Sequence, residues 1–158
     1  MDENNLAPGV VETDEMENMY LNFVVGHEIY GVEIRHVIQI IGMQEINEMP
    51  DMPPGMKGYI NLRGSVIPVV SMRLRFGKFE EDYTERTCIV VVLIGEKQIG
   101  LIVDAIQETI TIEPEDISPA PTTGEGSEVP YICGIARLVG GRTAVMIDVQ
   151  KLFSQDMF

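Results

Sequence analysis

The feature that most constrains the fold of this chain is an internal repeat. The segment FVVGHEIYGVEIRHVIQII is similar to VLIGEKQIGLIVDAIQETI, with Gly26 recurring as Gly95 and Gly31 recurring as Gly100 at one constant spacing. Segments that repeat in this way usually fold into equivalent structural units. The sequence therefore predicts two similar units joined in one chain.

A second pair of segments extends the repeat. GYINLRGSVIPVVSMRLRF is similar to GIARLVGGRTAVMIDVQKLF. The shared positions are, in pairs, Gly58 and Gly134, Leu62 and Leu138, Gly64 and Gly140 and, after one additional glycine, Phe76 and Phe153. Each half is therefore expected to hold a hairpin, a short turn of helix, a loop, a second hairpin and a short helix.

The strands of each unit are too few for a β-sandwich. Val and Ile dominate the apolar segments, and these β-branched residues favour strands. Closing each unit into a small barrel would remove its exposed sheet edges. A unit of roughly 60–70 residues buries little core by itself. We therefore expect an all-β protein of two small barrels, packed together around an aliphatic core with a groove between them.

Changes of composition mark the boundaries of these units. Residues 1–18 hold six acidic residues and no basic residue, which is typical of a disordered tail. The predicted domain spans 19–153, and 154–158 form a C-terminal tail. Within the domain we expect subdomain one at about 19–77, a charged linker at 78–86 and subdomain two at about 87–153.

The segment RHVIQII, residues 35–41, is predicted to form a helical turn. In that turn Val37 and Ile41 would face the core, while Ile38 would fall to one side. Two interpretations remain open for this apolar stripe. It is either buried between the two units, or it lines the groove and accepts an amphipathic helix of a partner.

Several other elements follow from local patterns. Residues 66–70 are apolar on both faces and predict a buried strand, and residues 87–94 predict an interior strand. Residues 71–76 predict a short helix. Residues 117–130 are rich in Pro, Thr and Gly, which predicts a long loop.

The charge of the chain limits its partners. Its 11 Lys and Arg residues face 25 Asp and Glu residues, which gives a net charge of −14. Nucleic acids and anionic membranes need clustered cations, so neither is an expected partner. Cys88 and Cys133 lie in apolar runs and are expected in the core. The chain shows no signal-peptide pattern or membrane-length apolar run, so we expect a cytoplasmic protein.

The repeat also allows a test for catalytic carboxylates. A symmetric aspartic dyad would need acids at matched positions, but Asp104 matches Arg35 and Asp148 matches Ser71. The two histidines have no metal-binding spacing. The sequence thus predicts no catalytic, cofactor or metal site, and a protein or small-molecule partner is the favoured hypothesis.

Positions that differ between the two halves are free to serve function. Arg63, in the corner NLRG, stands where the second half has Val139. The fold therefore does not need an arginine at this corner. Two interpretations remain open: a solvated charge or internal ion pair, or an arginine held on a rigid hairpin to bind a partner's carboxylate.

At this point the sequence resembles a known family. The stretch NLRGSVIPVVSMRLRFG is similar to the signature of the CheW family, the coupling proteins of bacterial chemotaxis. YGVEIRHVIQII, GLIVDAIQETITIEPEDISPAP and YICGIARLVGGRTAVMIDVQKLF resemble further segments of that family. The resemblance covers about Tyr20 to Phe153. It implies two five-stranded SH3-like β-barrels around a hydrophobic core, without catalytic activity or a cofactor.

The resemblance also implies partners. The family bridges the histidine kinase CheA, through that kinase's homologous regulatory domain, to the cytoplasmic tip of methyl-accepting chemoreceptors. Receptor state thereby controls kinase autophosphorylation. We expect this chain to join inner-membrane receptor arrays only through these proteins. The related CheV proteins carry an additional receiver domain of about 100 residues, which this sequence, if it is full length, would not contain.

Six positions carry over from the family to this sequence. Arg63 matches an arginine implicated in coupling and receptor control. Val37 and Gly58 match positions associated with partner binding, and Ile38 follows Val37. Ile89 and Gly100 fall in the region of the receptor groove. The implied partner-binding residues are Arg63, Val37, Gly58, Ile38, Ile89 and Gly100.

Alternatives from other classes remain open at this stage. A small-molecule sensor, or a different adaptor, would use the groove between the two barrels, and a sensor would show saturable ligand binding. A small barrel enzyme would need converging polar groups with perturbed pKa values.

Overall fold

The computed structural model describes residues 16–120 and 130–153. Within these residues the chain forms the strands β1 to β11 and one short α-helix, α1. The strands are β1 (Met19–Val25), β2 (Glu28–Glu33), β3 (Val37–Gly42), β4 (Met56–Leu62), β5 (Ser65–Ser71), β6 (Cys88–Ile94), β7 (Lys97–Val103), β8 (Ala105–Thr111), β9 (Ile117–Ser118), β10 (Ile132–Arg137) and β11 (Thr143–Ile147). Helix α1 spans Met72–Arg75, and 3-10 turns occupy Ile34–His36, Pro114–Asp116, Val139–Gly141 and Val149–Lys151.

Several predicted segments fall on residues that the structure does not describe. Most of the predicted N-terminal tail, the C-terminal tail and the larger part of the 117–130 loop lie outside the described ranges.

The strands form two sheets, which confirms the all-β prediction. The first sheet has the order β8-β1-β2-β11-β10-β9, and the second has the order β3-β6-β7-β5-β4. In the described part of the chain neither sheet pairs its two edge strands, so the expectation of closed barrels was wrong. At the edge of the second sheet, the outer side of β4 pairs within the described residues only with the segment after β3, through a single bridge in which Asn47 and Tyr59 exchange two backbone hydrogen bonds.

Each sheet takes strands from both halves of the sequence. The β1–β2 hairpin of the first half lies beside β8 and β11, and the β6–β7 hairpin of the second half lies beside β3 and β5. The exchange is reciprocal, because Val69 pairs with Gly100 while the equivalent Met146 pairs with Gly31, both in parallel strands. Each sheet therefore contains strands from before and after residues 78–86, which we expected to be a linker.

Three apolar clusters follow this arrangement. The largest takes residues from both sheets and from the segment after β11, and smaller clusters form within each sheet. The cluster of the second sheet contains Ile60, Ile67, Val69, Ile89, Val91 and Ile102. Most side chains in the three clusters are aliphatic, as the composition predicts. None of the described helices is long and apolar enough to cross a membrane.

The segment predicted as a helical turn is mainly a strand. A 3-10 turn covers Ile34–His36, and Val37–Gly42 then form β3, which pairs with β6. The β-branched residues Val37, Ile38, Ile40 and Ile41 favour this outcome, because they lose side-chain freedom in a helix.

Other local predictions had mixed outcomes. Strand β6 is interior, as expected. The predicted helix at 71–76 is confirmed by α1, where the Ser71 hydroxyl accepts a hydrogen bond from Leu74 N at 3.2 Å. Val66 is 63 % exposed although its strand was expected to be buried. Cys88 is buried as predicted, whereas Cys133 is exposed, because its strand β10 alternates between core and solvent.

Candidate partner-binding surface

The six residues implied by the sequence come from both halves of the chain, yet all lie in the second sheet. Val37 and Ile38 belong to the edge strand β3, and Gly58 lies on β4, which forms the other edge. Ile89 and Gly100 lie on β6 and β7 between them. Arg63 occupies the turn between β4 and β5. The hairpin exchange therefore unites positions that a purely sequential arrangement would separate.

Gly58 and Gly100 occupy the same row across this sheet. Gly58 pairs with Val69, Val69 pairs with Gly100, and Gly100 pairs with Val91. The row ends on β3, where Val91 pairs with Gln39. The Val69 and Val91 side chains are fully buried in the apolar cluster of the second sheet.

Packing leaves no room for side chains at the two glycines. A Cβ atom at Gly100 would lie 2.7 Å from Ile89 Cγ2, and one at Gly58 would lie 2.2 Å from the backbone oxygen of Asn47. Ile89 itself is fully buried. These three positions shape the core beneath the surface, so their influence on a partner would act through packing.

Strand β3 brings apolar side chains to the edge of the second sheet. Val37 is half-buried and packs against the largest apolar cluster, while Ile38 is 43 % exposed. Ile40 is 44 % exposed and was missed, because the segment was interpreted as helical and its alternation of exposed residues was therefore not considered. The equivalent residues of β8 are the polar Gln107 and Thr109. The apolar edge thus belongs to only one repeat unit.

Arg63 is held in a tight turn that exposes its side chain. Leu62 pairs with Ser65, and the two turn residues between them have positive φ angles, 54° at Arg63 and 86° at Gly64. This pattern is typical of a type I′ hairpin turn, and a left-handed backbone is unfavourable for a residue other than glycine. In the described part of the chain, no hydrogen bond or ion pair involves the Arg63 side chain. The interpretation as an internal ion pair is therefore not supported.

The ionisable side chains of the described residues include no candidate metal site, although Lys57, Glu80 and Tyr83 line one hollow. No group of three His, Cys, Asp or Glu side chains in residues 16–120 and 130–153 could hold a metal ion. Burial raises the pKa of the Cys88 thiol, which favours its neutral, unreactive form. An apolar strand edge and an unpaired guanidinium are instead features of a surface that binds protein.

The chain is similar to several known proteins. The family model described as "CheW-like domain" matches residues 19–157. The chemotaxis protein CheW of Klebsiella aerogenes is 31 % identical over 87 % of this chain and 82 % of its own length. The probable chemotaxis protein CheW of Rhizobium etli is 34 % identical over 95 % of this chain and 96 % of its own length.

A solved structure supports the fold. The scaffolding protein TtCheW of Thermoanaerobacter tengcongensis matches with a TM-score of 0.80 at 30 % identity, over 89 % of this chain and 95 % of that protein. A different kind of relative is the chemotaxis protein CheA of Treponema pallidum. It is 31 % identical over 81 % of this chain, but the match covers only 15 % of the CheA chain.

Proposed function

The chain belongs to the CheW family, and we propose that it couples chemoreceptors to the histidine kinase CheA without catalysing a reaction itself. In this role it binds the regulatory domain of the kinase and the cytoplasmic tip of a methyl-accepting chemoreceptor. Receptor state then controls kinase autophosphorylation. The protein acts in the bacterial cytoplasm and reaches the membrane through its partners.

The observation that carries this proposal is the likeness to a scaffolding CheW across nearly the whole described fold. The partial match to CheA adds support, because it means that a chemotaxis kinase contains a domain similar to this chain. A fold shared with the scaffold and a surface made of apolar and guanidinium groups both favour protein binding over catalysis.

Within the second sheet we assign different roles to the six positions. Arg63, Val37 and Ile38 would contact the receptor, since Arg63 and Ile38 are exposed and Val37 directly precedes Ile38 on β3. Gly58, Ile89 and Gly100 would act indirectly, by allowing the strands beneath that surface to approach closely. Arg63 suits a receptor carboxylate, which its guanidinium can bind through two parallel hydrogen bonds.

The proposal is tested by calorimetric titration of the chain with two purified probes. One probe is the regulatory domain of the CheA kinase from the same cell, and the other is a receptor-tip fragment. We expect saturable binding to each, and we expect the chain to be required for receptor control of kinase autophosphorylation in reconstituted membranes. A folded chain that binds neither probe at tens of micromolar would overturn the proposal.

A further inference from the structure

Asn22 places an amide group in the interior of the first sheet. Its side chain is fully buried, and the residue pairs with Gly31 on the neighbouring strand β2. A Cβ atom at Gly31 would lie 2.7 Å from Asn22 Oδ1 and 2.8 Å from Met146 Cε, so the amide lies over the glycine beside an apolar methyl group. Neither Nδ2 nor Oδ1 of Asn22 has a hydrogen-bond partner among the described residues. Buried amides in folded proteins are normally paired with protein or with ordered water, because an unpaired one is destabilising.

A β-bulge in the adjacent strand places a second amide next to Asn22. Asn22 pairs with Glu108 and Phe23 pairs with Ile106, so Gln107 is the additional residue of β8 between them. Gln107 Oε1 is buried and, in the part of the chain that the structure describes, also has no hydrogen-bond partner. Because both polar atoms of the Asn22 side chain are unpaired, no hydrogen bond joins the two amides directly. Both amides therefore belong to one irregularity in the pairing of β1 with β8.

The second copy of the same bulge is apolar. In the second sheet a register shift of the same kind makes Ile38 the additional residue of β3, beside Val91 of β6. These residues occupy the positions equivalent to Gln107 and Asn22 in the repeat. Val91 is fully buried, whereas Ile38 is largely exposed. The fold thus forms this bulge with apolar side chains, so strand pairing does not need the two amides.

One water molecule matches the hydrogen-bonding groups of this site. Asn22 Oδ1 and Gln107 Oε1 accept hydrogen bonds, whereas Asn22 Nδ2 donates them. A water molecule donates through two hydrogens and accepts through its oxygen, so a single molecule satisfies all three atoms. Buried waters typically make about three hydrogen bonds to polar groups that are otherwise unpaired. An ion fits less well, since these neutral amides carry no charge to balance it.

We propose that Asn22 and Gln107 form a binding site for one internal water molecule, which bridges β1 and β8 at the bulge. A bridge of this kind is nearly as favourable in enthalpy as a direct hydrogen bond. The site lies in the first sheet, apart from the second-sheet positions assigned to partner binding, and it does not depend on the coupling function. The two copies of one bulge have therefore diverged: one presents Ile38 to solvent, and the other holds water.

The first test detects the water by nuclear magnetic resonance in the isotope-labelled wild-type chain. We expect cross-peaks between water and the side-chain amide protons of Asn22, with opposite signs in nuclear Overhauser and rotating-frame spectra, as a bound water gives. Gln44 is the control in the same spectra, because its side chain is exposed and should show only the equal signs of surface water. The proposal is overturned if the Asn22 amide shows no cross-peaks of opposite sign.

The second test compares the urea unfolding midpoints of Asn22→Val, Gln107→Ile and the double variant, which carries the side chains of the second-sheet bulge. If a water bridges the amides, each single substitution removes a partner of that water. The double variant should then be more stable than the sum of the two single changes predicts. Independent, unpaired amides would instead give additive changes, each raising the midpoint, and that result would overturn the proposal. Non-additive changes without the water cross-peaks would also overturn it, since they would indicate a direct hydrogen bond between Asn22 and Gln107.

Discussion

Arg73 and Asp104 form an ion pair with two hydrogen bonds that joins the two halves of the chain. Arg73 Nε lies 2.9 Å from Asp104 Oδ1, and Arg73 Nη2 lies 2.6 Å from Asp104 Oδ2. The same Oδ2 accepts a hydrogen bond from Gly26 N at 2.8 Å. One carboxylate between β7 and β8 thus holds both α1 and the β1–β2 turn. Hydrogen bonding to Asp104 also raises the pKa of the Arg73 guanidinium.

Asp104→Asn should therefore destabilise the fold. The change removes the negative charge and one of three accepted hydrogen bonds, and bonds to charged groups contribute about 1.5–3 kcal/mol each. We expect a loss of about 2 kcal/mol in the free energy of unfolding, or about 4–8 °C in Tm. Combining it with Arg73→Met in a double-mutant cycle should show strongly non-additive losses. Additive losses would mean that the two side chains stabilise the fold independently.

The repeat supplies a matched control for this ion pair. Gln150 occupies the position equivalent to Arg73, and its Oε1 accepts a hydrogen bond directly from Gly95 N at 2.9 Å. Its Nε2 donates to Leu93 O at 2.9 Å. These neutral hydrogen bonds hold the β6–β7 turn, which is the repeat equivalent of the β1–β2 turn. Gln150→Ala should therefore lower the free energy of unfolding by only about 1 kcal/mol. A larger loss than that of Asp104→Asn would contradict the charge-based explanation.

The duplicated pattern could be predicted from the sequence, but the exchange of hairpins could not. Glycines at equal spacing mark equivalent turns, and a turn depends mainly on its own residues. Pairing between distant strands depends on which edge is available. Because the halves are similar, Gly31 could pair with Val69 of its own half or with Met146 of the other. Local sequence does not distinguish these partners, and the structure contains the second arrangement.

The candidate surface was predictable in the same uneven way. Arg63 was identified because the repeat has Val139 at the matching corner, which is a comparison that sequence alone allows. The exposure of Ile40 could not be predicted once β3 was interpreted as helical, since helix and strand place alternate residues on different faces. The Arg73–Asp104 pair was missed as well, because its partners lie on separate elements whose contact depends on the hairpin exchange.

Gly58→Ala and Gly64→Ala should differ strongly in their effect on stability. Both glycines have positive φ angles, but a Cβ at Gly58 would overlap the backbone oxygen of Asn47, whereas nothing lies within 4 Å of one at Gly64. We expect a loss of about 3 kcal/mol or more at Gly58, where backbone must move, and about 1 kcal/mol at Gly64. Urea unfolding measures both. Equal losses would show that the approach of Asn47 does not limit Gly58.

Tyr30 should make the fold sensitive to alkaline pH. Its hydroxyl donates to Glu28 Oε1 at 2.6 Å, and its ring stacks on Phe76 with centroids 4.3 Å apart. Burial, and then the Glu28 carboxylate, raise the pKa of Tyr30 above its ordinary value of 10.0. Above pH 10 the unfolded chain ionises first, so the stabilisation present at lower pH is lost as pH rises.

Tyr30→Phe is the test of that pH dependence. At pH 8 the variant should be less stable by about 1 kcal/mol, because it lacks the hydrogen bond to Glu28. Above pH 10 the wild type should lose up to about 1.4 kcal/mol per pH unit through this group, whereas the variant should not. The two stability curves should therefore converge between pH 9 and 11. Curves that stay parallel would show that Tyr30 does not titrate in this way.

Substitutions of Arg63 should impair coupling with little effect on the free energy of unfolding. Its side chain is exposed, so a substitution removes no packing. Its backbone has a φ of 54°, which is unfavourable for a residue other than glycine. We expect the free energy of unfolding of Arg63→Glu to lie within about 0.5 kcal/mol of the wild type. Arg63→Gly should be more stable by up to about 1 kcal/mol, because glycine tolerates this backbone.

Both Arg63 variants should impair receptor control of kinase autophosphorylation in reconstituted membranes. Arg63→Lys should keep part of it, because lysine retains the charge without the two-bond geometry. Global unfolding of Arg63→Glu by circular dichroism would instead show a structural role, and full receptor control in Arg63→Gly would show that the guanidinium takes no part in coupling.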